Sequence, residues 1–241
     1  MPSDAGTGLH PEPQGTDLAA RLNWLRAGIL GANDGIVSVA AVVVGVAGVT
    51  AETGPILAAG VAALAGGAIS MALGEYVSVS SQSDSQKNLI AKERSELAEE
   101  PEEEFDELVE LYRAKGLTRA TARRVAEELT AADPLRAHLD IELGIDPDEI
   151  VSPWHAAIAS AGSFVVGALL PLLAILLTPE SLRVAATFAV VLVALAVTGA
   201  TGAWIGGGSR LRAALRVVLG GALALATTFG LGSLLGTAGI L

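Results

Sequence analysis

Cysteine is absent from the 241 residues, so disulfides and thiolate metal sites are excluded, and nothing fixes the redox compartment. Aromatic residues make up 4% of the chain and charged residues 17%, while 51% is hydrophobic. A mean hydropathy of +0.55 is high for a soluble domain. Basic residues are in deficit: the formal net charge is −11, and no nucleic-acid partner is expected. Residues 1–22 lack the basic start and apolar stretch of a cleaved signal peptide; they read as a disordered, polar tail containing Pro and Gly.

What is present is segregated. Apolar residues gather into long runs and charges into one block, the pattern of an integral membrane protein. A transmembrane helix needs roughly 20 mainly apolar residues at about 1.5 Å each. Five segments qualify, at about 27–50, 55–80, 156–178, 182–205 and 211–238. Pro55 is placed to start the second span, and Pro171 is expected to kink the third. Glu52-Thr53-Gly54-Pro55, Thr178-Pro179-Glu180-Ser181 and Gly206-Gly207-Gly208-Ser209 form the short connections.

Fourteen of the fifteen Lys and Arg residues fall on one side of this layout, Arg183 alone on the other. The positive-inside rule then puts the N-terminus and the central block in the cytoplasm and the C-terminus outside. Trp24, Trp154 and Trp204 lie at the cytoplasmic span ends, where indoles favour the interface. Residues 81–155 hold 19 of the 26 acidic residues against nine basic ones. The block also reads as helical. Gln82 to Glu99 extends the second span, Pro101 opens a helix ended by Gly116, Thr118 caps another, and Asp133-Pro134 starts a fourth that Gly144 stops. The expected architecture is an all-α membrane protein: tail 1–22, spans one and two in 23–81, a cytoplasmic acidic helical domain in 82–152, and spans three to five in 153–241.

Inside the spans only Asp34 and Glu75 are acidic, and no basic residue is deep enough to pair with them. A carboxylate at mid-bilayer costs about 2.5–3.5 kcal/mol on insertion scales, so such residues face a protein interior or a watery path. Counted from the span ends, Asp34, Met71 and Glu75 fall at similar depth, roughly 10–16 Å from the cytoplasmic boundary. Met71 and Glu75 are four residues apart and share a helix face. Two carboxylates and a thioether suit Fe²⁺ or Mn²⁺, and metal and proton would compete for the same oxygens. One chain offers too few ligands for a full shell, which favours a symmetric pair of chains around a shared path. Ala62, Gly66, Ser70, Gly74 and Ser78 recur every four residues, and Gly31 and Gly35 flank Asp34; such spacing lets transmembrane backbones approach closely. Against these readings, a lone Met is more often packing, and small-residue stripes are common in Ala- and Gly-rich spans.

At ILGANDGIVS and GAISMALGEYVSVSSQ, followed by an acidic helical insert and three further spans, the chain resembles the vacuolar iron transporter family over about residues 24–240. The resemblance implies a five-span homodimer exchanging Fe²⁺, and often Mn²⁺, for protons along a path at the dimer interface lined by spans one and two. It assigns Asp34, Met71 and Glu75 to the transmembrane metal and proton site. It also implies a metal-binding insert with Glu93, Glu96, Glu104, Glu107 and Glu142 as ligands. The sequence departs from the family just before Glu142. Where some members carry adjacent methionines, His138 and Leu139 stand here, and an imidazole shifts preference toward Zn²⁺ or Fe²⁺.

The expected function is a proton-coupled exporter of Fe²⁺, or Mn²⁺, with no permanently bound cofactor and no enzymatic activity. Twelve arginines against three lysines, with abundant Ala and Gly, suggest a bacterial inner membrane. The alternatives are a membrane-anchored metal sensor or buffer, an uncoupled channel, and an intramembrane aspartyl enzyme. The last is disfavoured by Gly35 after Asp34, where no hydroxyl stands.

Overall fold

The computed structural model describes residues 15–148 and 152–238, with side chains from residue 27 onward. The expected disorder of residues 1–14 lies outside the described residues, as do the side chains of Arg21, Trp24 and Arg26. All regular structure among the described residues is helical. In chain order the helices are α1 (Gly15–Val49), α2 (Thr53–Glu99), α3 (Pro101–Ala114), α4 (Arg119–Ala132), α5 (Pro134–His138), α6 (Pro153–Leu177), α7 (Arg183–Ile205) and α8 (Arg210–Thr237). The chain divides into two compact units: residues up to Glu75 together with Ala156 onward, and Tyr76–His155.

Among the described residues five helices are long and apolar enough to cross a membrane: α1 from Ala27, α2, α6, α7 and α8. Their ends fall within a few residues of the segments read from hydropathy, except that α2 continues to Glu99 along the extension expected over Gln82–Glu99. One boundary differs. Helix α1 starts at Gly15, so residues 15–22 are helical rather than part of a tail. Leu18-Ala19-Ala20-Arg21-Leu22 are strong helix formers with no breaker, and they extend the span's helix backward.

The first unit is built around α1. Ile36, Val39, Ala40, Val43 and Val44 are buried against Ile56 of α2, Phe164, Ala168, Leu172 and Ile175 of α6, Val191 and Leu195 of α7, and Leu225 of α8. Glycines set the approach. A Cβ on Gly35 would collide with the Phe164 carbonyl, and one on Gly167 with the Ala32 carbonyl, so α1 and α6 touch backbone to backbone. Gly31 abuts Ser160 and Ser163 of α6 in the same way. The glycines flanking Asp34 therefore pack within the chain.

Helix α2 is different. Gly60 and Gly67 seat it on Leu172, Val43 and the Phe164 ring, yet only 11% of its apolar window is buried, against 39% for α1 and for α6. Ala62, Gly66, Ser70, Gly74 and Ser78 are all exposed, and a Cβ on Gly66 or Gly74 would meet nothing.

In the second unit the helix starts and stops follow their local chemistry. Pro101 sits in the first turn of α3, with Glu102, Glu103 and Glu104 beside it at the positive end of the helix dipole. Thr118 accepts from the Thr121 backbone N–H at 3.3 Å to cap α4, and Asp133 accepts from that of Arg136 at 3.0 Å to cap α5. Gly116 (φ +100°) and Gly144 (φ +60°) take the left-handed conformation that ends their helices. The helix expected from Pro134 is not uniform. It widens into a π-helical turn over Leu139–Leu143, an insertion frequent at functional sites. Leu108, Val109, Ala122, Ala126 and Ala137 form a small core, ringed by Phe105, Tyr112, Leu129 and Ile141.

Candidate metal centre

Three side chains from three elements converge in the second unit. Glu93 comes from the last turns of α2, Glu104 from the first turn of α3, and His138 from the last residue of α5, where the π turn begins. One ligand atom of each lies within 4.8 Å of the others. Their exposures are 4%, 7% and 1%, so all three are withdrawn from water, which normally demands a partner for each polar atom.

That demand is not met within the chain. His138 Nδ1 is 3.0 Å from Glu93 Oε1 and 3.5 Å from Glu104 Oε2. Among the described residues neither His138 Nδ1 nor Glu93 Oε1 nevertheless has a hydrogen-bond partner. The atoms are at ion-pair distance without an N–H aligned on a carboxylate. Ionisation tells against an ion pair as well. Burial first, then the nearby carboxylates Glu142, Glu104, Glu96 and Glu107, push Glu93 up to about 7. Burial also holds His138 below its ordinary value, opposed in part by Glu107. A neutral imidazole beside a partly protonated carboxyl is not a salt bridge. Two carboxylates and one imidazole nitrogen crowded together, buried and unbonded, are a ligand set, and the mixture suits Fe²⁺, Mn²⁺ or Zn²⁺.

The other expected ligands surround this group at different depths. Glu107 and Glu142 are exposed but close enough to act on it. Burial and then Glu107 raise Glu142; burial and then Glu107, Glu96 and Glu142 raise Glu104. Glu96 is half-exposed and held by Lys92 Nζ at 2.6 and 2.7 Å, so a metal would have to displace that ammonium. Of the six residues singled out by the sequence, three form the buried group and the other three lie in its electrostatic range, with Glu96 among them already held by a lysine.

The transmembrane residues are arranged more openly. Asp34 is exposed on α1, and Ser38 Oγ donates to its backbone carbonyl at 2.5 Å rather than to its carboxylate. Met71 is half-buried against the core of the first unit, and Glu75, one turn further along α2, is half-buried too. Among the described residues Glu93, Glu104 and His138 are the one group of three His, Asp or Glu at metal-ligand spacing, so no such group forms around Asp34 and Glu75 in a single chain.

Residues 25–233 match the model of the VIT family. The chain belongs to the VIT family. The chain is 44% identical over 231 residues to the "Vacuolar iron transporter" of Acanthamoeba castellanii, covering 94% of this chain and 85% of the relative. It is 40% identical to "Vacuolar iron transporter homolog 5" of Oryza sativa subsp. japonica (93% and 86% covered). To "Vacuolar iron transporter homolog 2.1" of Arabidopsis thaliana it is 33% identical (98% and 93% covered). VIT family members are transporters and not enzymes, and the chain is not an enzyme. These relatives come from an amoeba and from plants, and they give the expectation of a bacterial inner membrane no support.

Two features of this VIT family chain escaped the sequence. Arg183 is only 8% exposed; its Nη1 donates to the Ala51 carbonyl at 3.0 Å and its Nη2 to Thr53 Oγ1 at 3.4 Å, tying α7 to the α1–α2 connection. Its isolation among the basic residues was the available signal. Asn33 bonds Thr198 of α7, and no spacing rule pairs residues 165 positions apart.

Proposed function

We propose that the chain is a metal transporter that moves Fe²⁺, and Mn²⁺ as a second substrate, out of the cytoplasm in exchange for protons. The observation that carries this reading is the buried Glu93–Glu104–His138 group, in which Glu93 Oε1 and His138 Nδ1 have no hydrogen-bond partner among the described residues. In a member of a family whose relatives are named iron transporters, that group is a loading site for a divalent cation. The second unit is cytoplasmic on this reading, as the distribution of basic residues implies. Glu107 and Glu142 attract the ion, and Glu93, Glu104 and His138 hold it. The imidazole in this set extends the bound ions to Zn²⁺.

The transmembrane step uses Asp34, Met71 and Glu75. Asp34 is exposed in the single chain, and the small-residue stripe of α2 is uncovered. A second copy packed on that stripe would give four carboxylates and two thioethers around one path, enough to replace a hydrated ion's shell. Protons return on the same oxygens that release the metal. The test is Fe²⁺ and Mn²⁺ flux into proteoliposomes under an imposed pH gradient, with Asp34→Asn beside the native chain. Gradient-driven flux in the native chain, reduced at least about 100-fold in the variant, as loss of a first-sphere carboxylate should do, is the expected outcome.

The ligand group in the second unit also favours a second reading, a membrane-anchored sensor or buffer. In that case the native protein binds metal, carries no flux, and is indifferent to Asp34→Asn.

A further inference from the structure

Three successive residues of α1 face three different surroundings. Thr198 Oγ1 of α7 donates to Asn33 Oδ1 at 2.5 Å. Asp34 is exposed, away from both packed faces. Gly35 is buried against the backbone of α6 at Phe164, where no side chain fits. Successive residues on a helix point about 100° apart, so a bond on one side and a bare backbone contact on the other leave Asp34 a single direction. The glycine contact sets how closely α1 approaches α6 and limits rotation toward it, since a neighbouring residue turned into that contact would bring a Cβ where none fits. The Asn33–Thr198 bond holds the rotation from the α7 side, because turning α1 would pull the amide oxygen from its donor.

We propose that Asn33 is a positioning residue, and that its bond to Thr198 fixes the rotation of α1 so that the Asp34 carboxylate stays on the uncovered face of the first unit. This deepens the transport reading, on which it rests for its functional consequence; the rotational claim stands on the packing alone. Asn33 touches no ion. It acts through Asp34, and its partner is a hydroxyl that has a fallback: Thr198 Oγ1 also lies 3.2 Å from the Leu195 carbonyl of its own helix. Removing Asn33 therefore leaves the hydroxyl satisfied, while removing the hydroxyl leaves the amide oxygen without its donor.

The natural absence of cysteine provides the readout. With Asp34→Cys as the sole thiol in the full-length protein, the rate of modification by a water-soluble methanethiosulfonate reports where position 34 points. Adding Asn33→Ala or Thr198→Val is expected to slow labelling by up to about threefold, the ceiling set by the scale of a hydrogen bond between membrane helices. Both together should slow it no further, because they remove one shared interaction. Thr198→Ser keeps the donor and should restore the native rate. A labelling rate unchanged by both Asn33→Ala and Thr198→Val overturns the proposal, as does an additive effect. Gel filtration identifies any variant that misfolds, and Asn33→Ala, the gentler change, then decides. Fe²⁺ flux in the Asp34-containing protein is measured in parallel. No flux from the native chain sinks the transport reading, while the labelling rates still decide the role of Asn33.

Discussion

Glu93 is the residue whose chemistry is most altered by its surroundings. Pushed up to about 7 from 4.5, it binds its proton more readily in the folded chain than in the unfolded one. The metal-free protein should therefore lose stability as pH rises from about 4.5 to about 7 and level off above that, a total on the order of 3 kcal/mol. Metal binding runs the other way. The proton must leave before the ion binds, so Fe²⁺ or Mn²⁺ affinity should fall up to about tenfold per unit as pH drops below 7. Glu93→Gln should flatten both dependences, raise the melting temperature of the metal-free protein at pH 8, and weaken metal binding. Melting curves and metal titrations between pH 5 and 8 check this. A variant that melts lower than the native chain at pH 8 would show that Glu93 is paired rather than stranded. The sequence identified Glu93 and Glu104 as candidates through the family resemblance, and His138 through a departure from it. It offered no means of telling them from Glu107 and Glu142, because all are acidic or imidazole groups at helical spacing and only burial separates them.

At the scale of helices, close approach is governed by glycine, but glycines that look alike in the sequence serve different ends. Gly31 and Gly35 share the four-residue spacing of Gly66 and Gly74. The first pair is packed against α6 and the second faces empty space. Gly35→Ala should push α1 off α6 and lower the stability of the first unit by about 1–3 kcal/mol, the usual penalty for overpacking. Gly74→Ala should leave the same measurement, thermal unfolding in detergent of the monomeric form, within about 0.5 kcal/mol of native. A Gly35→Ala chain as stable as the native one would mean that the α1–α6 contact yields to an added methyl. The helix ends, by contrast, were legible directly. Pro101, Thr118, Asp133 and Gly144 carry their instructions in their own covalent structure, a fixed φ, a short acceptor or a missing Cβ. The π turn after His138 was not, since nothing in LDIEL distinguishes it from an ordinary helical turn.

For the whole molecule, the question is what covers α2. The least buried of the five apolar helices also carries the longest stripe of small residues, an arrangement that fits a second copy better than lipid alone. Gly66→Cys, again in a cysteine-free background, should form a disulfide-linked dimer under mild oxidation in the membrane, whereas a cysteine replacing Leu219, on the exposed face of α8, should not. Equal cross-linking at both sites, or none at Gly66, would remove the α2 stripe as the interface. Much was determined by the sequence itself. Spans and helix boundaries follow from hydropathy and capping, which act between near neighbours or against a uniform solvent. The tertiary structure decided which carboxylates lost water, which glycines met a neighbour, and which way Asp34 faces. Each depends on atoms brought together from distant parts of the chain, and desolvation and steric exclusion act only once those atoms are in place.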